Sequence, residues 1–437
     1  MKNNVLLLAF LLCINLSFSQ KKVILDTDPS FDPDDVGCMA MLQTMATQGE
    51  CDILAVVNST NQKESALCIS AINQFYNRPG IPVGDYMGYD KKINATEQTY
   101  DFHIAKDYPR PLKNWEDTLD GVKLYREILE SAQDSSITII VVGTMHNMYG
   151  LLKSGPDEIS AKTGKQLVVE KVALVATMGG NFLNNKGWDR TNWGGAEHLC
   201  SYTDWSCLNE ERNQMCRYVI ENCPAPFIAS GWENGNGDYF NANNGNVMSG
   251  QGLKNLPQDH IARVSYEKHF EYRGGAESIT RHSNDQIALH YAIRGEGENY
   301  QAFDSGKITL SPSGECEWTP QSNGLQGHIQ KIREDELIAK EIEALMMGDV
   351  PTLDDTPPNA PQHVKLVETN DQKNLVWEAS KDEDKGSWVV AYNVYGDGKF
   401  LRCVYGTKFN LSAEAEVYEI TAINASGFES EPTLFKR

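Results

Sequence analysis

The sequence predicts an α/β fold: an open, doubly wound, mostly parallel sheet followed by a small all-β sandwich. Three observations point there. From Lys21 onward, short apolar runs alternate with longer stretches of helical spacing. The apolar runs are continuous, as expected for parallel strands covered on both faces. Beyond a proline- and acid-rich stretch at VPTLDDTPPNAP, short strands divided by turn residues take over.

Taken in order, KKVILDTD reads as the first strand, and DDVGCMAMLQTMATQG from Asp34 to Gly49 as a helix ending at glycine. CDILAVVNST is a second strand and ESALCISAINQFYN a second helix. SSITIIVVGT, MHNMYGLLKSG and KVALVATMGG continue as strand, helix and strand. This βαβα order is that of a doubly wound sheet, in which ligands bind at the carboxyl ends of the strands. Asp26-Thr27-Asp28, Gly143-Thr144 and Met178-Gly179-Gly180 all fall at such ends. DELIAKEIEALMMGD reads as a closing helix.

The expected organisation is a secretory signal peptide over 1–19, an α/β domain over 21–349, a linker over 350–358 and a β-sandwich over 359–437. The leader carries Lys2, an apolar stretch from Val5 to Leu16, and Ser17-Phe18-Ser19 before the break, so the chain is expected to be exported, periplasmic or secreted. The linker's composition predicts few contacts across the boundary it marks. No later apolar run is long enough to span a bilayer.

A formal charge of -21 argues against a nucleic-acid partner, which needs a basic face. It also disfavours highly phosphorylated substrates. Of the 10 cysteines, Cys13 lies in the leader, and Cys200, Cys207, Cys216 and Cys223 cluster. Export permits disulfides there, with the connectivity open. A zinc site is the alternative, although no CxxC occurs and His198 is the histidine nearby.

The chemistry-bearing segment is DTDPSFDPDDVG, Asp26 to Gly37. Asp26 and Asp28 are two apart on a strand and share a side. Asp34 and Asp35 open a helix, whose dipole favours negative charge. Close carboxylates repel unless a cation neutralises them, and an all-oxygen donor set suits Ca²⁺ or Mg²⁺ over zinc. A helix cap with a solvated turn accounts for one or two such acids, not for all five of Asp26, Asp28, Asp32, Asp34 and Asp35. An EF-hand does not fit: the loop lacks the glycine at its sixth position and the carboxylate at its twelfth.

On these residues the chain resembles the inosine–uridine preferring nucleoside hydrolases, which open with DxDPGxDD. Here the segment has two extra residues before the final acid pair and Ser30 in the glycine's place. Thr60-Asn61 resembles that family's Gly-Asn. Val142-Gly143-Thr144-Met145-His146-Asn147 resembles its TGxLTN turn, and Met178-Gly179-Gly180 its MGG. Asn192 in DRTNWGG resembles the asparagine of its EFN segment, and Asn284-Asp285 its late His-Asp step. The resemblance runs from Lys21 to about Gly348. Separately, Trp377, AYNVYGDG, and Tyr418 followed by AINASGFES make the tail resemble a fibronectin type III module.

The resemblance implies a calcium-dependent N-ribohydrolase acting on a small nucleoside or related riboside. Asp28 would be a metal ligand and the general base. Asp35, the main-chain carbonyl of Val142, and Asp285 would complete the protein ligands. Asp34, Asn61 and Asn192 would hold ribose hydroxyls, with Asn184 or Asn185 at the 5′ end, and Asp26 would support the ligands from behind. The family's leaving-group histidine is Asn284 here, with His282 nearby, and its glutamate before the asparagine is Arg190 or Thr191. Tyr86 to Tyr108, including His103, lacks a match to the family's base-contacting loop. Trp188, Trp193 and Trp205 are candidates for base stacking or for core packing. Two other readings stay open. One is a catalytically impaired, hydrolase-like binder whose module attaches to carbohydrate or a cell surface. The other is a haloacid-dehalogenase-like phosphatase, which leaves Asp34-Asp35 and Asn284-Asp285 unexplained. A homo-oligomer is compatible with all of these.

Overall fold

The computed structural model describes residues 20–90, 92–189, 192–194, 210–236, 246–275, 277–368, 373–383, 387–411 and 415–437. The leader at 1–19, Arg190, Thr191, His198, Cys200, Trp205 and Cys207 lie outside the described residues.

The first half of the chain runs β1 (Lys21–Thr27), α1 (Asp34–Thr47), β2 (Cys51–Asn58), α2 (Lys63–Phe75), β3 (Val83–Asp85), α3 (Tyr100–Asp107), β4 (Leu119–Asp120), α4 (Gly121–Ser131), β5 (Ile137–Val141) and α5 (His146–Lys153). It continues with α6 (Gly164–Lys171), β6 (Val172–Met178), β7 (Lys186–Trp188), α7 (Glu210–Asn222), β8 (Phe227–Ser230), α8 (Trp232–Asn236), β9 (Met248–Ser249), α9 (Ile261–Glu271), β10 (Arg281–His282) and α10 (Asn284–Arg294). β11 (Tyr300–Leu310), β12 (Glu315–Pro320), β13 (Gln326–Lys331) and α11 (Asp335–Met346) close the α/β part.

The main sheet has the order β4-β3-β2-β1-β5-β6-β8-β13-β11-β12-β7. Strands from β4 through β13 pair in parallel, and β11, β12 and β7 add antiparallel partners at one edge. The apolar strand cores follow from burial on both faces: Val23, Ile24 and Leu25 of β1 are all buried. Helix α1 is buried nearly all round from Asp34 to Ala46, which explains why its sequence lacks a polar face. It stops at Thr47, and Gly49, at φ +78°, turns the chain back. Successive strands step outward from β1 on one side and from β5 on the other, so β1 and β5 flank the point where the winding reverses.

The tail is a sandwich of two small antiparallel sheets. β14 (Gln362–Glu368), β15 (Lys373–Glu378) and β18 (Lys408–Asn410) form one. β17 (Lys399–Val404), β16 (Val389–Gly396), β19 (Val417–Asn424) and β20 (Thr433–Lys436) form the other. The expectation of few contacts across the linker is not met. Trp388, Val390, Ala391 and Ala425 join the apolar core that α1 and α2 build. Lys408 pairs with Glu130 at 3.1 Å, Arg402 pairs with Glu127, and the Gly80 amide donates to the Ala425 carbonyl at 2.8 Å. A proline-rich linker limits where the next module starts, not what that module touches.

Cys216 and Cys223 carry free thiols, as do Cys38, Cys51, Cys68, Cys316 and Cys403. No described helix is long and apolar enough to cross a membrane.

Candidate active site

Two loops cross the sheet edge where the winding reverses: the acidic turn after β1 and the Val142–Met145 turn after β5. They are laced together at the strand ends. The Val142 and Gly143 amides donate to the Asp26 carbonyl at 2.8 and 3.2 Å, and the Ser59 amide donates to the Thr27 carbonyl at 2.9 Å. Gly143 has no room for a side chain, because a Cβ there would lie 2.9 Å from both the amide nitrogen and the Oδ1 of Asp28.

Two helix N-termini converge on this edge. Asp34 and Asp35 occupy the first turn of α1, and Asp285 the first turn of α10. Gly37 permits the approach, since a Cβ at that position would collide with Gln286 of α10. Carboxylate oxygens of Asp34, Asp35 and Asp285 lie within 4.8 Å of one another, all three buried. Burial pushes each of the three well above the ordinary carboxylate range, and neighbouring acids push further: Asp32 and Asp35 on Asp34, Asp28 and Asp32 on Asp35, and Asp34 and Asp35 first on Asp285. Asp28 stands beside this trio, partly exposed; its amide donates to Asp35 Oδ1 at 3.0 Å. Burial raises Asp28 to about 6, with the Arg212 charge opposing and Asp32 adding to the rise. Buried, mutually repelling oxygen donors with raised pKa values are what a hard divalent cation would relieve, so the residues present fit calcium.

The support for these acids reaches across the chain. The Thr27 hydroxyl donates to Asp35 Oδ1. Asp26 is fully buried, and takes the Tyr125 hydroxyl at 3.2 Å and the Asn147 amide at 3.3 Å. Burial nevertheless holds Asp26 well above its ordinary value. Tyr125, Asn147 and Thr27 carried no role in the sequence reading. Asn147 stood in the quoted turn, but its partner could not be read there.

Asn192 sends its side-chain amide to the Val142 carbonyl, with Met178 O at 3.4 Å. Asp189 builds this contact by accepting the amides of Gly180 at 3.0 Å and Trp193 at 2.9 Å. The Val142 carbonyl keeps a second lone pair for a cation. Asn61 follows β2, half-buried, and its carbonyl accepts the Ile93 amide at 3.0 Å. Asn184 lies in the 3-10 turn Leu183–Asn185, and its side chain falls outside the described residues. Asn185 faces His328 at 3.3 Å.

The segment without a family match supplies an aromatic wall. The rings of Tyr86, Tyr89 and His146 lie 4.9 to 5.2 Å apart, and Lys92 sits 5.2 Å above the Tyr89 ring. The Tyr89 hydroxyl donates to the Ser59 carbonyl at 2.6 Å, one residue from the β2 end. Burial lowers His146 to about 3, with the Arg212 and Lys92 charges assisting, so this ring is neutral. Trp193 is fully buried against Phe182 and Phe227 and belongs to the core rather than to a base. Trp188 is exposed on β7. His103 is a surface group bonded to the Glu97 carbonyl at 2.9 Å. Burial lowers His282 to about 4, which makes it a poor proton donor at neutral pH.

The fold that carries this site is that of the nucleoside hydrolases. A plant nucleoside hydrolase, the PpNRh1 enzyme, is similar with a TM-score of 0.53 at 16% identity, over 75% of this chain and 99% of that one. A purine-preferring ribonucleoside hydrolase from Gardnerella vaginalis has a TM-score of 0.53 at 11% identity, over 76% and 99%. The effector protein XOO4466 is similar at 0.50 and 14% identity, over 75% and 93%. No protein-family model and no curated protein sequence matches the chain.

Proposed function

We propose that this protein is a calcium-dependent hydrolase of the N-glycosidic bond in ribonucleosides or related N-ribosides, releasing free base and ribose. The observation that carries the reading is the buried trio Asp34, Asp35 and Asp285, with oxygens within 4.8 Å of one another. It lies at the carboxyl ends of the strands where the winding reverses, the crevice in which open α/β sheets bind ligands. Asp28, Asp35, Asp285 and the Val142 carbonyl would hold calcium, with Asp26 behind them. Bound there, calcium would orient a ribose diol and acidify a water.

The remaining steps belong to the chain's own side chains. Asp28 takes the proton of the attacking water. The water oxygen bonds to the anomeric carbon as the C–N bond breaks; its electron pair leaves with the base, which takes a proton from solvent, and Asp28 returns its own proton to solvent. The sugar turns cationic on the way, and the anionic wall stabilises it. Asp34, Asn61 and Asn192 hold the ribose hydroxyls, with Asn184 toward the 5′ end.

The leader supports export to the periplasm or beyond the cell. The pairing of three strands against four supports a fibronectin type III-like sandwich. So does the Tyr418 hydroxyl, which takes the Ala415 amide at 3.1 Å. In that reading the module attaches the enzyme to carbohydrate or a cell surface. One observation favours a second reading, a hydrolase-like binder: Asn284 stands where the resemblance puts a leaving-group acid. The test is release of ribose from a panel of nucleosides, with and without a chelator. Calcium-dependent release supports the enzyme; riboside binding without turnover supports the binder.

A further inference from the structure

Phe31 and Asp32, in the acidic turn before the Asp34-Asp35 pair, are held by the elements at the rim of the site. The Phe31 carbonyl meets His269 Nδ1 of α9 at 2.6 Å, and the Arg273 guanidinium lies 3.8 Å from the centre of the Phe31 ring. The Asp32 carbonyl accepts the Tyr100 hydroxyl of α3 at 2.9 Å. The Asp32 carboxylate takes Arg281 in a two-point contact: Nε at 2.9 and 3.0 Å from its two oxygens, and Nη2 on Oδ2.

Arg281 begins β10, and β10 leads through Ser283 into the α10 turn that carries Asp285. On its other side, Asp32 Oδ1 faces the Asp34 amide at 3.5 Å, one residue before Asp35. The ion pair therefore joins the two segments that present the acids, across a sequence separation of 249 residues. Those acids repel one another, so the segments tend to spread. A planar guanidinium held at two points resists that spreading in a way a flexible ammonium does not.

We infer that Asp32 and Arg281 are positioning residues for the proposed calcium site, a strut that holds the Asp34-Asp35 segment against the Asp285 segment. The inference rests on the calcium reading above. The pair is 31% exposed on each side chain, so its role is geometric more than energetic.

Charge alone predicts something different. If Arg281 acted only as a nearby cation, its removal would leave the site more negative and tighten calcium binding. Removal of Asp32 would loosen it. A strut predicts that both removals loosen it.

Isothermal titration of the full-length protein with calcium chloride separates these. Asp32→Asn and Arg281→Gln should each weaken calcium binding by about tenfold, the usual scale for a residue that orients a ligand. Arg281→Lys keeps the charge, is the mildest change for folding, and should weaken binding too. The double variant Asp32→Asn/Arg281→Gln should be no worse than the weaker single. Tighter or unchanged binding in Arg281→Gln, native binding in Arg281→Lys, or additive losses in the double variant would each overturn the strut. If the native protein binds no calcium, the calcium reading falls and takes the strut with it. If it binds and the variants match it, the strut alone falls.

Discussion

The indole N–H of Trp388, in the C-terminal sandwich, donates to the carbonyl of Ile53 on β2 at 2.9 Å. Ile53 lies in the strand beside β1, so the sandwich touches the framework that carries the acidic turn. The Trp388 ring is 5% exposed and takes the Arg78 guanidinium at 5.0 Å from its centre. The two parts of the chain share a core through this ring.

Trp388→Ala should therefore destabilise the whole protein by about 3–5 kcal/mol, the range for truncating a buried tryptophan. Urea denaturation of the full-length variant measures it. Removing everything beyond Asp354 should do more, exposing the apolar surface around Ile53 and Arg78 and promoting association. A truncated protein that stays monomeric and melts like the native one would show the docking to be energetically idle.

How far the sequence spoke follows from which contacts are local. β1, α1, β2, β5 and β6 were legible because burial on both faces leaves unbroken apolar runs. β11 to β13 were not read, because β11 mixes buried and exposed positions along its whole length and looks like a polar loop. The acids were legible because they crowd one turn. Their supports were not: Tyr125 reaches Asp26 across 99 residues, and Asn147 reaches it across 121. The Arg281 strut spans more still, and nothing in the local sequence around it marks a partner.

Gly143→Ala tests how tightly Asp28 is placed. The new methyl group would press first on the Ser59 hydroxyl, then on the Asp28 amide nitrogen and Oδ1, each 2.9 Å away. Its backbone is not in the left-handed region, so the strain is one of space alone, and the variant's circular dichroism and Tm are recorded beside its kinetics. A displacement approaching 1 Å costs on the order of 10²-fold in rate. The expected result is such a fall in kcat for the best nucleoside, with a smaller change in KM. Native kcat would place Asp28 outside the chemistry.

Asp28→Asn removes the proposed base and one metal charge together. Turnover should fall by about 10³-fold or more, with the circular dichroism spectrum unchanged. Because Asp28 is partly exposed and flanks the buried trio, the fold should survive its neutralisation. A variant retaining near-native turnover would remove Asp28 from the mechanism.

The last prediction joins pH to the metal. Asp34, Asp35 and Asp285 have raised values in the folded protein, and Asp28 is raised to about 6 from an ordinary 3.8. The metal-free folded state thus holds protons that the unfolded chain gives up near 3.8. That contribution to stability is complete below about 3.8 and is lost as pH rises through the raised folded values. Calcium competes for the same oxygens and needs them deprotonated, so its affinity should rise with pH. The calcium-induced increase in Tm should therefore widen from pH 5 to pH 7.5, and magnesium should give less of it, because it demands tight octahedral geometry. Asp285→Ala should flatten the response. Thermal melts of chelator-treated protein across that range, with and without added calcium, measure it directly. A calcium shift that stays constant with pH would mean that the ion binds elsewhere than at these carboxylates.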